Sequence, residues 1–122
     1  MEIKFIANKI TCEINTDENY YMIGFSDNGD EPNQYVILQR AIIFDEQDIE
    51  LGMNTYYFEY SDQSNSGYGI CENVEIENGR VLFKLNKNEF NDIEFIEITF
   101  KQDAINTNWT EFKNIFDKIF SK

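Results

Sequence analysis

YGICENVEIENGRVLFKLN, residues 68–86, decides how the rest of the chain is read. Val74 and Ile76 alternate with polar residues on one arm, Val81, Phe83 and Leu85 do so on the other, and Asn78-Gly79 stands between them. Alternation of period two places one face of each arm on a core, and Asn-Gly tolerates the positive φ of a two-residue type I′ turn. The segment is therefore predicted to be a β-hairpin, and an antiparallel sheet is expected around it.

Toward the C-terminus, Lys87–Asn91 is expected to make one helical turn that sets Phe90 against the core, and Ile93–Phe100 alternates again through Ile96, Ile98 and Phe100. The period then changes. Trp109, Phe112, Phe116, Ile119 and Phe120 recur at helical spacing, Ile115 widens the stripe, and Asn108 followed by Glu111 resembles a capping box. An amphipathic helix with this much aromatic surface is expected to dock on the chain's own sheet, since burying each such side chain contributes about 1.5–3 kcal/mol.

Toward the N-terminus, Thr55–Tyr60 is rich in β-branched and aromatic residues and is predicted to be a strand, followed by a polar loop over Ser61–Gly67. Tyr35–Phe44 is more continuously apolar and suits a central strand. Residues 2–14 alternate as one half-buried strand or as two short ones broken near Asn8. Thr16–Asn19 supplies a turn, Tyr20–Phe25 a further strand, and Ser26–Pro32 a surface loop. The expected fold is a single α+β domain: an antiparallel, strongly twisted sheet of six or seven strands with the C-terminal helix packed on one face. A β-sandwich with that helix at an end is the alternative.

Composition narrows the function. A chain of 122 residues with 42% hydrophobic and 16% aromatic residues can bury one core. Its net charge of −13 repels a nucleic-acid backbone or an anionic membrane and favours encounter with a basic protein. The start lacks the apolar stretch of a signal peptide, and no apolar run reaches the roughly 20 residues of a membrane helix, so a cytoplasmic protein is expected. Cys12 and Cys71 lie far apart in a chain without histidine, which leaves few ligands for zinc; both are expected to be unpaired thiols in strands.

Between the strands, Asp45, Glu46, Asp48 and Glu50 gather four acids within six residues. Unpaired buried charge is costly, so these acids form either a solvated bend or a site. They lack the spacing of a calcium loop, and no histidine is available as base for a Ser or Cys nucleophile. Arg40, next to a buried strand, is expected to pair with Asp45, Glu46 or Asp48 around the bend. Gly67-Tyr68-Gly69 has no phosphate-loop frame and reads as a tight entry into a strand. Acids in a bend beside tyrosines match a recognition patch, with aromatic side chains supplying contact area and charge supplying orientation.

Four segments carry a resemblance: IGFSD at Ile23–Asp27, the step from Pro32 through Tyr35 into LQR at Leu38–Arg40, FDEQDIELGMNTYYFE at Phe44–Glu59, and DQSNSGYG at Asp62–Gly69. On these the chain resembles the Immunity protein 10 family, small cytoplasmic antidotes of bacterial polymorphic toxin systems. The resemblance covers residues 20–70 well and the remainder in element order; Phe58-Glu59-Tyr60 is more aromatic than the pattern. It implies a non-enzymatic inhibitor, without cofactor, that binds and blocks a cognate toxin domain. Such a toxin is expected to be basic. The shared motif carries Gln39, Arg40, Asp45, Glu46, Gln47, Asp48, Gly52, Tyr68 and Gly69. Tyr35, Asp45, Glu46, Asp48, Glu50 and Tyr68 are the expected contact residues, while Gln39, Arg40, Gly52 and Gly69 are expected to serve the fold. A carboxylate-based, metal-dependent hydrolase and a self-associating structural domain are the alternatives from other classes.

Overall fold

The computed structural model describes residues 1–29, 31–86 and 92–121. Nine strands form two sheets: β1 (Glu2–Ala7), β2 (Lys9–Asn15), β3 (Tyr20–Ser26), β4 (Tyr35–Ala41), β5 (Tyr57–Tyr60), β6 (Asp62–Tyr68), β7 (Cys71–Glu77), β8 (Arg80–Leu85) and β9 (Phe95–Phe100). Among the described residues two α-helices accompany them, α1 (Glu46–Glu50) and α2 (Trp109–Phe120). The α+β class and the C-terminal helix agree with the sequence reading. The sheet count does not: there are nine strands in two sheets rather than six or seven in one.

Strands β2 to β6 form one meander and β7 to β9 another, and the chain crosses between the two sheets twice. Strands β2 to β6 lie side by side in chain order, each antiparallel to the next, while the other sheet has the order β1-β9-β8-β7. The first crossing is at Asn8, whose backbone N–H donates to Ser26 O at 2.9 Å and whose side-chain amide donates to Asp27 O at 2.8 Å; the second is at Gly69-Ile70, between β6 and β7. Residues 2–14 are thus two strands broken near Asn8, in different sheets. Because β1 returns beside the last strand, it pairs with β9 in parallel, an exception to the expected antiparallel order.

The hairpin at 68–86 is present, with Val74 opposite Phe83 and Ile76 opposite Val81. Its turn is not type I′, for only Gly79 takes a positive φ, of 99°. Gly79 O instead accepts from Phe100 N at 2.9 Å, which ties the turn to β9. Residues expected to form a loop, Ser61–Gly67, form most of β6. Ser, Asn and Gly have low strand propensity, yet pairing of Tyr57 with Tyr68 and of Glu59 with Ser66 holds them extended. The strand expected over Tyr35–Phe44 ends at Ala41. The helical turn expected at Lys87–Asn91, with Phe90, lies outside the described residues.

One core joins these layers. Phe83 is fully buried, with its ring centroid 5.2 Å from Phe58 and 6.2 Å from Phe25, so the sheets meet face to face through it. Helix α2 closes the core as its stripe requires, burying Phe112, Ile115, Phe116 and Ile119. Phe112 meets Phe25 and Phe100, one ring from each sheet. Asn108 is the N-cap, its side chain accepting from Glu111 N at 2.8 Å, while the Glu111 carboxylate takes the Thr107 hydroxyl at 2.6 Å. Cys12 and Cys71 are free thiols in β2 and β7, and burial pushes both up to about 12. No described helix is long and apolar enough to cross a membrane.

Candidate interaction face

With one face of each sheet turned to the core, the opposite faces are available, and they differ in chemistry. On the four-stranded sheet the outward residues of β8 and β9 include Arg80, Lys84 and Glu97, and they satisfy one another or β7: Arg80 donates to Glu97 at 3.0 Å, and Lys84 lies 3.7 Å from Glu72. The outward face of the five-stranded sheet is aromatic. The register sets Tyr20 beside Ala41, Gln39 beside Tyr57 and Tyr57 beside Tyr68, with the rings of Tyr57 and Tyr68 5.5 Å apart.

The acidic stretch stands at the rim of this face. It is neither a loose bend nor a bare cluster but a short helix whose sequence contains its own start and stop. Asp45 is the N-cap, its carboxylate accepting from Asp48 N at 2.7 Å, while the Asp48 carboxylate accepts from Asp45 N at 3.1 Å; together they form a capping box. The helix ends in a Schellman motif. Gly52, at a φ of 71°, donates to Ile49 O at 3.2 Å, and Met53 N donates to Asp48 O at 2.7 Å. Gly52 is one of the residues expected to serve the fold, and the left-handed conformation it adopts is strained for residues with a Cβ.

Strand face and helix together enclose a pocket of about 260 Å³. Its floor is Tyr20, Gln39, Ala41, Tyr57 and Tyr68, and Asp48, Met53 and Thr55 form a wall. Of the residues singled out from sequence, Gln39, Arg40, Asp48 and Tyr68 are brought to this one pocket. Gln39, expected to serve only the fold, lies exposed on its floor. Asp45, Glu46 and Glu50 are exposed along α1, and Tyr35 lies farther along the same sheet face, paired with Ser26. Gly69, at a φ of 61°, donates to Tyr56 O at 2.9 Å, and an added Cβ would stand 3.2 Å from Thr55 Cγ2.

Arg40 corrects an expectation. It makes no ion pair with Asp45, Glu46 or Asp48 but points inward to the end of α2, where Nη1 donates to Lys118 O at 2.9 Å, Ile119 O at 3.1 Å, Ser121 O at 2.5 Å and Ser121 Oγ at 3.0 Å. Its guanidinium carbon also lies 5.0 Å from the centroid of the Phe44 ring. The last carbonyls of a helix lack intrahelical donors and carry the negative end of its dipole, which makes them a favourable partner for a cation. Asp45 and Asp48 are engaged in capping α1, and Glu46 is left exposed at the surface.

Sequence reasoning missed Glu59. It is the one charged side chain among the described residues that is buried, at 8% exposure, although it lies on the outward side of β5. Tyr35 and Tyr57 cover it, their hydroxyls donating to Oε2 at 2.5 Å and Oε1 at 2.6 Å. An acid at the alternate position of an aromatic strand was the available signal, since such a group must find partners.

These bonds hold both hydroxyls protonated. The bond to Glu59 raises Tyr35 from its usual 10.0 to about 12, and burial, followed by the same carboxylate, raises Tyr57. A group raised on folding contributes stability that is complete below its unfolded value and lost as pH rises through its folded one. Stability is therefore expected to fall between about pH 10 and 12, and the fall should shrink in Tyr35→Phe. Urea melts across that range test this; identical alkaline profiles for wild type and variant would mean that Tyr35 does not hold its proton for Glu59.

Among the described residues, no group of three or more Cys, Asp or Glu side chains is placed to share a metal ion. Comparison with known families matches Immunity protein 10 over residues 6–108. No curated protein and no solved structure matches. The match takes in β2 to β9, leaves out most of β1, and ends at the N-cap of α2. The chain belongs to the Immunity protein 10 family.

Proposed function

We propose that this member of the Immunity protein 10 family is a non-enzymatic inhibitor that neutralises a cognate bacterial toxin domain by one-to-one binding. Its contact surface is the rim of α1 together with the tyrosine face beside it. One observation carries this reading: the exposed large apolar side chains Ile43, Ile49 and Leu51, at 73%, 58% and 63% exposure, stand in the same nine-residue stretch as Asp45, Glu46, Asp48 and Glu50. An apolar contact set among charges combines the buried anchor and oriented rim on which tight complexes depend.

The net charge of −13 favours a basic toxin and steers its approach. Inhibition in the cytoplasm would protect the cell that makes the toxin and its siblings. Asp45 and Asp48 commit carboxylate oxygens to backbone amides, and nothing in their arrangement favours a hydrolytic reading over binding.

The test is expression of the toxin domain encoded next to this chain, with and without it. Cells should survive only when both are present, and the pair should elute as a one-to-one complex. Equal killing in the two cultures would sink the reading. With complex in hand, association should slow as salt rises. Ile49→Ala combined with Leu51→Ala should weaken binding by about thirtyfold or more without lowering the melting temperature, since each exposed hot-spot side chain contributes upwards of about 1 kcal/mol.

A further inference from the structure

Glu59 is a buried carboxylate without a cation. None of the ion pairs among the described residues includes it, and its two hydrogen-bond partners are neutral hydroxyls. A desolvated anion normally has an ionic partner, because neutral donors return only part of the lost hydration. A carboxylate has about four lone-pair positions, of which the two tyrosines use two. Tyr57 links the carboxylate to the pocket, because it both donates to Glu59 and lines that pocket with Tyr68.

We propose that Glu59 and the tyrosines around it form a receptor for one guanidinium side chain supplied by the partner protein. This deepens the binding reading above and rests on it. The guanidinium enters over the Tyr57 and Tyr68 rings, displaces the Tyr57 hydroxyl from Oε1 and donates two N–H groups to the carboxylate. Aromatic faces attract a cation, and a planar fork matches both a carboxylate and a ring. Only a guanidinium can present a planar two-donor fork to the carboxylate while lying flat on a ring, so arginine is the occupant. The chain's own negative charge favours a basic partner from which such a side chain would come.

This site sets fold against function. In the unbound chain Glu59→Gln removes a desolvated charge and keeps an acceptor for a tyrosine hydroxyl, so its melting temperature should equal or exceed that of wild type. Binding should move the other way. The probe is the tripeptide acetyl-Gly-Arg-Gly-amide, titrated into the whole chain and followed by NMR, against the same peptide with neutral citrulline in place of arginine. The arginine peptide should shift the resonances of Tyr57, Glu59 and Tyr68, with affinity about tenfold weaker for the citrulline peptide and for Glu59→Gln.

Tyr68→Ala, at a position already 41% exposed, should also weaken it and guards against misfolding of the first variant. Equal responses to the two peptides, no response to arginine, or undiminished affinity in Glu59→Gln would each overturn the proposal. The two readings fail separately. An arginine response in a chain that does not protect against the toxin leaves the receptor and removes the inhibitor, whereas a toxin complex indifferent to Glu59→Gln does the reverse.

Discussion

Replacing Phe83 with alanine is expected to lower the free energy of unfolding by about 3–5 kcal/mol, as for other large-to-small changes at fully buried aromatic positions. The ring is 0% exposed and is the common neighbour of three layers: Phe25 and Phe58 in the five-stranded sheet, its own strand β8 in the other, and Phe116 and Phe120 of α2 at 6.5 and 6.3 Å. Its loss removes packing from all three at once, and no one layer can collapse into the gap without leaving another. Because domains of this size are stable by only about 5–15 kcal/mol, the variant forfeits a large part of the total, roughly 10–20 °C in melting temperature. Urea titration measures it, with Leu82→Ala on the outward side of the same strand as control. A loss below about 1 kcal/mol at Phe83 would mean that the sheets do not meet through this ring.

Such central residues were legible because periodicity reports burial. Val81, Phe83 and Leu85 alternate inward, and so do Ile96, Ile98 and Phe100; all six are buried where their spacing places them. Helix α2 was equally plain, since Phe112, Phe116 and Ile119 cannot share one face except on a helix. What periodicity does not carry is partnership. Nothing local tells β1 and β2, one residue apart, that they belong to different sheets, because that choice depends on β9 and β3. Strand β6 was illegible for the complementary reason: its Gln63-Ser64-Asn65-Ser66-Gly67 run has no strand preference and is extended only because β5 pairs with it.

The candidate face was half visible. Asp45-x-x-Asp48 followed by Gly52 spells the start and stop of a helix, but four acids in six residues suggest ligands or a bend before they suggest caps. Tyr35, Asp48, Gln39 and Tyr68 could be picked from the sequence individually. That Gln39, Asp48 and Tyr68 line one pocket follows from three strands in register and a helix at their edge. Glu59 was hidden by its own solution, since the tyrosines that satisfy it are also what make its strand look like an ordinary core strand.

Arg40 gives the second large effect and the clearest separation between a structural and an interfacial role for the shared motif. Its Nη1 has two hydrogens and four acceptors within 2.5–3.1 Å, so those hydrogens are shared among the last carbonyls of α2 and the Ser121 side chain. Hydrogen bonds from a charged donor contribute about 1.5–3 kcal/mol, and the exposed end of this helix leaves water to replace part of what is lost. Arg40→Ala should therefore cost about 2 kcal/mol, with hydrogen exchange accelerating first in the last turn of α2, because that turn loses its donor and the cation at its negative end. Glu46→Ala and Glu50→Ala, exposed on α1 and away from its caps, should leave stability within about 0.5 kcal/mol of wild type. Were Arg40 held instead by an acid of α1, its loss would loosen α1 and spare α2. Faster exchange confined to residues 45–53 would overturn the assignment, and faster exchange at Lys118–Ser121 would tie a residue of the family motif to the helix that closes the core.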